Sequence, residues 1–185
     1  MNTIINPDGR LERKTEDLVF LDHEFPSAYP EYAKLNVFPK REEPSVTGFD
    51  INEMEPWFHG NAIKEYANGE IILEYLRDHI LFDDCIGLPE LGGIYAKGDA
   101  FFREHFGDKA VFAWQAVLKI PRGRYVPYLI DFAGHVILCL HWMGGICKEN
   151  FIALRHTENS RIYTTQQEEA GIKASNVFVL GAKKS

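Results

Sequence analysis

Ten consecutive residues, Val111 to Ile120, place the strongest constraint on how this chain folds. Phe112, Trp114, Ala116, Leu118 and Ile120 alternate with Val111, Ala113, Gln115, Val117 and Lys119. A period of two is that of a β-strand. Its second face is also largely apolar, so the strand belongs inside a sheet covered on both sides. Pro121 and Gly123 end it. A strand buried on two faces needs layers above and below it. The chain has 185 residues, enough to bury roughly two-thirds of its unfolded surface without disulfides or a metal.

The rest of the chain divides around this strand. Six of the nine prolines lie at or before Pro56. Proline fixes φ and removes a donor, which excludes a long helix or a central strand there. Residues 1–55 therefore read as an irregular N-terminal arm with short elements around Asp17 to Leu21, and residues 56–185 as the main domain. Trp57-Phe58-His59-Gly60 reads as a short strand ending at glycine. Ile72, Tyr75, Leu76, His79 and Ile80 recur at three- and four-residue steps, which marks one buried helix face. Asp83, Asp84, Gly87 and Pro89 mark a loop. Gly92-Gly93-Ile94-Tyr95-Ala96 reads as a tight approach into a short strand. Asp99 caps a helix running to Phe106, and Gly107 terminates it. The apolar stretch from Tyr128 to Ile146 contains Asp131, His135, His141 and three glycines, which suits a buried strand pair or helix and not a membrane span. Further strands are expected at Val136 to His141, Asn150 to Arg155, Arg161 to Thr165 and Asn176 to Leu180. A strand-rich second half with few helices is an α+β pattern, not alternating βαβ.

Charge and cysteine usage narrow the function classes. Lys plus Arg is 20 against 27 for Asp plus Glu, a formal charge of -7. Such a surface repels phosphate backbones and argues against general nucleic-acid binding. Cys85, Cys139 and Cys147 are an odd, sparse set that suits a reducing cytosol. The start at Met1-Asn2-Thr3 shows no basic region followed by an apolar run, so the reading expects no secretory signal and a cytoplasmic setting. No Walker A loop, Rossmann fingerprint or nucleophile elbow is present.

One ordered set of residues points to chemistry: Phe58-His59-Gly60, then Gly92-Gly93-Ile94-Tyr95-Ala96, then the helix Gly98 to Phe106, then the strand Val111 to Ile120. In this order and spacing the chain resembles the ADP-ribosyltransferases of the poly(ADP-ribose) polymerase and diphtheria-toxin type. The resemblance spans Trp57 to Gly123, about a third of the chain. It implies a split fold of mainly antiparallel sheets with few helices. It also implies NAD as substrate, transfer of ADP-ribose to a macromolecular target, with a protein the favoured acceptor, and release of nicotinamide. By the same resemblance His59 contacts the adenosine-side ribose, and the Gly60 backbone receives the carboxamide, with Asn61 beside it. Tyr95 stacks on the nicotinamide, Phe106 eleven residues later covers its other face, and Phe102 backs Phe106. The family's late glutamate would stabilise the cationic sugar. Glu149, entering the apolar run Asn150 to Leu154, is the first choice for it. Glu168 and Glu169 are the runners-up, and Asn176 would be a non-acidic replacement. A bacterial effector, toxin or phage-encoded modifier fits this size and setting by analogy.

Taken singly, these residues have plainer structural readings. Tyr95 in a glycine-rich segment is a packed core tyrosine, Phe102 and Phe106 at helical spacing are core, and each glutamate is a solvated charge. His135, Cys139, His141 and Cys147 match no standard zinc spacing, and no metal is expected. Lys119, Arg122 and Arg124 form a small basic turn that suits a pyrophosphate or simple solvation. Two other functions compete. One is a non-catalytic pocket protein or acidic inhibitor; the other is an enzyme like the tRNA 2′-phosphotransferases, which the acidic balance disfavours.

Overall fold

A computed structural model of the chain describes residues 13–25, 46–58, 67–79 and 82–163. His59, Gly60, Asn61, Glu168, Glu169, Asn176 and the strand expected at 176–180 lie outside these residues. The fold is α+β, with few helices and mostly antiparallel sheets.

Two sheets form the described frame. The small one orders β1 (Leu18–Phe20), β2 (Val46–Asp50) and β9 (Arg161–Tyr163), antiparallel throughout. The large one begins at an edge with β3 (Glu55–Trp57), which pairs antiparallel with β8 (Phe151–Arg155). Parallel to β8 runs β4 (Ala110–Phe112), which pairs antiparallel with β6 (Gly123–Phe132). Next to β4, β5 (Leu118–Ile120) pairs with the same side of β6, and β7 (His135–Trp142) pairs with its other side. Pro56 is accommodated because β3 is an edge strand. The stretch 128–146 is thus a strand pair, closed by a turn in which Ala133 has φ 52° and Gly134 φ 88°.

The single strand expected over Val111 to Ile120 is instead β4, a 3-10 turn over Trp114–Ala116, and β5. The register against β6 slips by three residues between β4 and β5, the length of that turn. Gln115 pins the turn. Its backbone N–H donates to Ile86 O, and its side chain donates to Phe82 O and Asp83 O at 2.9 and 3.0 Å. The expected burial on both faces holds, because Val111, Phe112 and Trp114 are all core.

The layers follow from strand alternation. Val111, Leu129, Ile152 and Leu154 face a core shared with α2 (Leu88–Lys97), α3 (Asp99–Phe106), Val19 and Phe49. Phe112, Val126 and Ala153 face a second core under α1 (Gly69–Asp78), which contributes Ile72, Leu73 and Leu76. The described parts of the N-terminal arm are therefore built into the first core. Val19 and Phe49 are fully buried there.

The second revision concerns Gly92 to Ala96, which is the body of α2 and not a strand. Gly87 precedes it, Pro89 lies in its first turn, and the Glu90 carboxylate accepts the Gly87 N–H at 3.0 Å. These are helix-start signals. The two glycines have a packing reason. A Cβ on Gly93 would overlap the carbonyl oxygen of Phe20 and stand 2.7 Å from Val19 Cγ1. A Cβ on Gly92 would stand 2.6 Å from Phe25 Cγ and 3.0 Å from Asp22 Cβ. The absent side chains let β1 and the residues after it press directly on α2.

α3 matches expectation except at its cap. Gly98, at φ 92°, is the N-cap, and Gly107, at φ 59°, ends the helix. Asp99 instead binds the β6–β7 hairpin, accepting from Val136 N at 2.8 Å and meeting His135 Nδ1 at 3.2 Å. Those two contacts, the Val136 N–H first, hold its carboxyl below the usual range.

Candidate functional site

Glu149 and Asn150 lie at one end of the large sheet, where the ends of β3, β4 and β6 also lie. β3 runs antiparallel to β8, with Glu55 opposite Arg155 and Trp57 opposite Ala153. Its chain therefore leaves Trp57, two residues before His59, toward the end of β8 that Glu149 and Asn150 precede. β4 starts at this end too: Ala110 pairs with Phe151, and Asn150 Nδ2 donates to Asp108 O at 2.9 Å. β6 finishes there, and the Asp99 contacts fix the α2–α3 junction beside the same hairpin. Tyr95 lies in the last turn of α2, one turn before Asp99.

The structure does not form the aromatic sandwich expected from Tyr95 and Phe106. Phe106 is only 6% exposed and packs on Phe102, which is fully buried, with ring centroids 4.9 Å apart. Both rings belong to the first core. Their three- to four-residue helical spacing had offered that plainer reading, and it is the one realised. Tyr95, by contrast, is 46% exposed. Its ring meets Phe25, with centroids 5.4 Å apart and planes at 40°. Glu149 is exposed in the turn before β8. Around the edge strand, Trp57 stacks on Tyr75 at 5.6 Å, and Tyr75 on His79 at 3.9 Å.

Of the basic turn, Arg124 is committed elsewhere. Arg124 forms an ion pair with Glu70 on α1. A cavity of about 490 Å³ beside that pair is lined by Glu70, Leu73, Glu74, Arg77, Asp78 and Arg124. Three carboxylates against two guanidinium groups make a poor cradle for a pyrophosphate.

The histidine and cysteine pattern on β7 separates into unrelated groups. Six residues of strand span roughly 20 Å, so His135 and His141 cannot share an ion. His141 Nε2 lies 3.0 Å from Gly145 O and 3.5 Å from Cys147 Sγ. Burial lowers the His141 pKa and pushes the Cys147 thiol up to about 12. A neutral thiol beside a neutral imidazole is a packed pair, not an activated nucleophile. Among the described residues no group of three or more His, Cys, Asp or Glu side chains is arranged to hold a metal.

No family model, no curated protein and no solved structure matches this chain.

A polar cluster that the sequence reading missed joins Glu90, His156 and Ser160. His156 Nδ1 is 2.9 Å from Ser160 Oγ, and its Nε2 is 3.5 Å from Glu90 Oε1. The arrangement resembles a Ser-His-acid triad in partners only. Ser160 is fully buried, and its hydroxyl also lies 3.1 Å from Thr157 N and 3.0 Å from Thr157 O. The cluster fastens the start of α2 to the β8–β9 connection, where Asp50 N donates to Ser160 O. Burial is the largest influence on the Glu90 carboxyl and works to raise its pKa. The His156 contact and the backbone N–H groups outweigh it, and the pKa lies below the ordinary value. No signal in the sequence links positions 66 residues apart.

Among the described residues no helix is long and apolar enough to cross a membrane.

Proposed function

We propose that this chain is a mono-ADP-ribosyltransferase that cleaves NAD, releases nicotinamide and passes ADP-ribose to a macromolecular acceptor, a protein being favoured. The observation that carries the reading is the sheet order β3-β8-β4. In it β8, which Glu149 precedes by two residues, lies between β3, which ends at Trp57, and β4, which follows α3. The α2–α3 junction is tied through Asp99 to the β6–β7 hairpin at the same end of the sheet.

The chemistry asks for little more than positioning and charge. Departure of nicotinamide leaves positive charge on the ribose. A carboxylate that meets this charge binds the transition state better than the ground state, and so accelerates the step. Glu149 is solvent-exposed in the turn, so this role requires its side chain to turn onto the bound sugar. That same exposure is the observation favouring a second reading, a pocket protein without catalysis.

Nicotinamide release from NAD separates the two. The chain is incubated with NAD, and free nicotinamide and label transferred to protein are both followed. The Glu149→Gln variant keeps shape and removes charge. It is expected to bind NAD almost normally and to lose roughly a hundredfold or more in release rate. Glu168→Gln and Glu169→Gln are measured alongside. Full activity in all three refutes the carboxylate mechanism, and no release by the unaltered chain refutes the enzyme.

A further inference from the structure

Phe25 packs on α2 in the notch left by Gly92, with its ring against Tyr95. Two features on one helix face make the notch. Gly92 supplies the floor, where a Cβ would overlap Phe25 Cβ and stand 2.6 Å from Phe25 Cγ. Tyr95, three residues on, supplies a wall, with its ring centroid 5.4 Å from that of Phe25. Residues three apart on a helix are surface neighbours, so floor and wall belong together. Phe106, the expected partner of Tyr95, is committed to the core.

We propose that this notch is the site for the nicotinamide ring and that Phe25 fills it in cis as an autoinhibitory plug. The proposal rests on the ADP-ribosyltransferase reading for the identity of the ring, though not for the notch itself. Tyr95 is the ring on which nicotinamide stacks, and Gly92 leaves the space beneath. Separating two aromatic rings enough to admit a third takes about 7 Å, since each stacked face needs roughly 3.5 Å. The 5.4 Å pair is therefore closed to a ligand. Phe25 must move out for nicotinamide to enter.

The anchoring of Phe25 permits such movement. β1 ends at Phe20, and among the described residues no sheet hydrogen bond holds Phe25. Its N–H reaches Asp22 O at a long 3.4 Å. The ring is partly buried, whereas Phe102 and Phe106 are fixed in the core. Phe25 thus competes with a ligand for one face of Tyr95 at no cost to the ladder between β1 and β2.

The test compares the full chain with Phe25→Ala and with the double variant Phe25→Ala, Tyr95→Ala. Binding of free nicotinamide is measured by ligand-observed NMR titration, and nicotinamide release from NAD is measured separately. Thermal unfolding checks that each variant is folded; Phe25→Leu, which keeps apolar volume without a flat ring, replaces Phe25→Ala if that variant unfolds. Removing a competing ring is expected to tighten nicotinamide binding roughly three- to tenfold, and the double variant to lose it. Unchanged or weaker binding in a folded Phe25→Ala or Phe25→Leu overturns the plug. Tighter binding with no release from NAD by any variant supports the notch and removes the transferase reading. Release by the unaltered chain, with nicotinamide binding insensitive to Phe25, does the reverse.

Discussion

Gly93→Ala is the sharpest test of how α2 is seated. In an open helix interior the change is favourable by about 1 kcal/mol, because alanine forms helix more readily than glycine. Here the added Cβ would overlap the Phe20 carbonyl oxygen and lie 2.7 Å from Val19 Cγ1 and 3.1 Å from Phe20 C. Two of these three atoms are backbone, so no rotamer change relieves them. β1 would have to retreat by about an ångström. It is held on its far side by pairing of Leu18, Val19 and Phe20 with Asp50, Phe49 and Gly48. Leu21 N→Thr47 O at 3.0 Å and Asp22 N→Pro89 O at 2.9 Å hold the residues that follow. Overpacking against such a frame costs about 3 kcal/mol, which leaves a net loss of about 2 kcal/mol. For a chain of this size that is a drop in Tm of roughly 4–8 °C. Thermal and urea unfolding followed by circular dichroism read it directly. Gly92→Ala is the internal comparison: its nearest atoms are Phe25 Cβ, which the added Cβ would overlap, Phe25 Cγ at 2.6 Å and Asp22 Cβ at 3.0 Å, on residues outside the β1–β2 ladder, so the loss should be smaller. A neutral or stabilised Gly93→Ala would mean that β1 does not press on α2 and would refute the close approach.

The other predictions use different observables. His59→Ala should reduce nicotinamide release without shifting the unfolding midpoint; full turnover would remove His59 from the site. Burial pushes the thiols of Cys85 and Cys147 up to about 12, while Cys139 is only half-buried. A thiol reagent at pH 8 should therefore label Cys139 first and reach the other two only on unfolding, and prompt labelling of all three would contradict the packing. Glu90 has a lowered pKa in the folded chain. An unfolded glutamate takes up its proton near pH ~4.3, so the stabilisation is full above that pH and falls away as pH drops through the folded value. Glu90→Gln should flatten the acid limb of the unfolding midpoint against pH, and an unchanged limb would refute the assignment.

Local signals in the sequence were read well where local rules decide. α1 and α3, Gly107 as the end of α3, and strands at 136–141, 151–155 and 161–163 follow periodicity or cap chemistry, although Tyr75 and His79, expected on the buried face of α1, are exposed. The long strand at 111–120 was half right. Alternation marks its buried faces, but a three-residue turn anchored by Gln115 to Ile86, Phe82 and Asp83 depends on partners some thirty residues away. The Glu90–His156–Ser160 cluster is longer-ranged still, and only the fold brings it together.

Gly92-Gly93 marks where sequence reasoning meets a real ambiguity. A glycine pair before an aromatic residue suits a strand that a ligand approaches closely and a helix that a strand approaches closely, because both need the same missing Cβ. The deciding signals lay just upstream: Pro89 and Glu90 after Gly87 start a helix, and Leu88, Leu91 and Ile94 at three-residue steps continue it. The consequence reaches the proposed site. On a strand, Tyr95 would take its partner ring from α3, as the motif spacing implies. On α2, the notch over Gly92 opens toward the N-terminal arm, and the partner ring is Phe25. The same glycines that admit β1 to the core thus bring the N-terminal arm against the Tyr95 face.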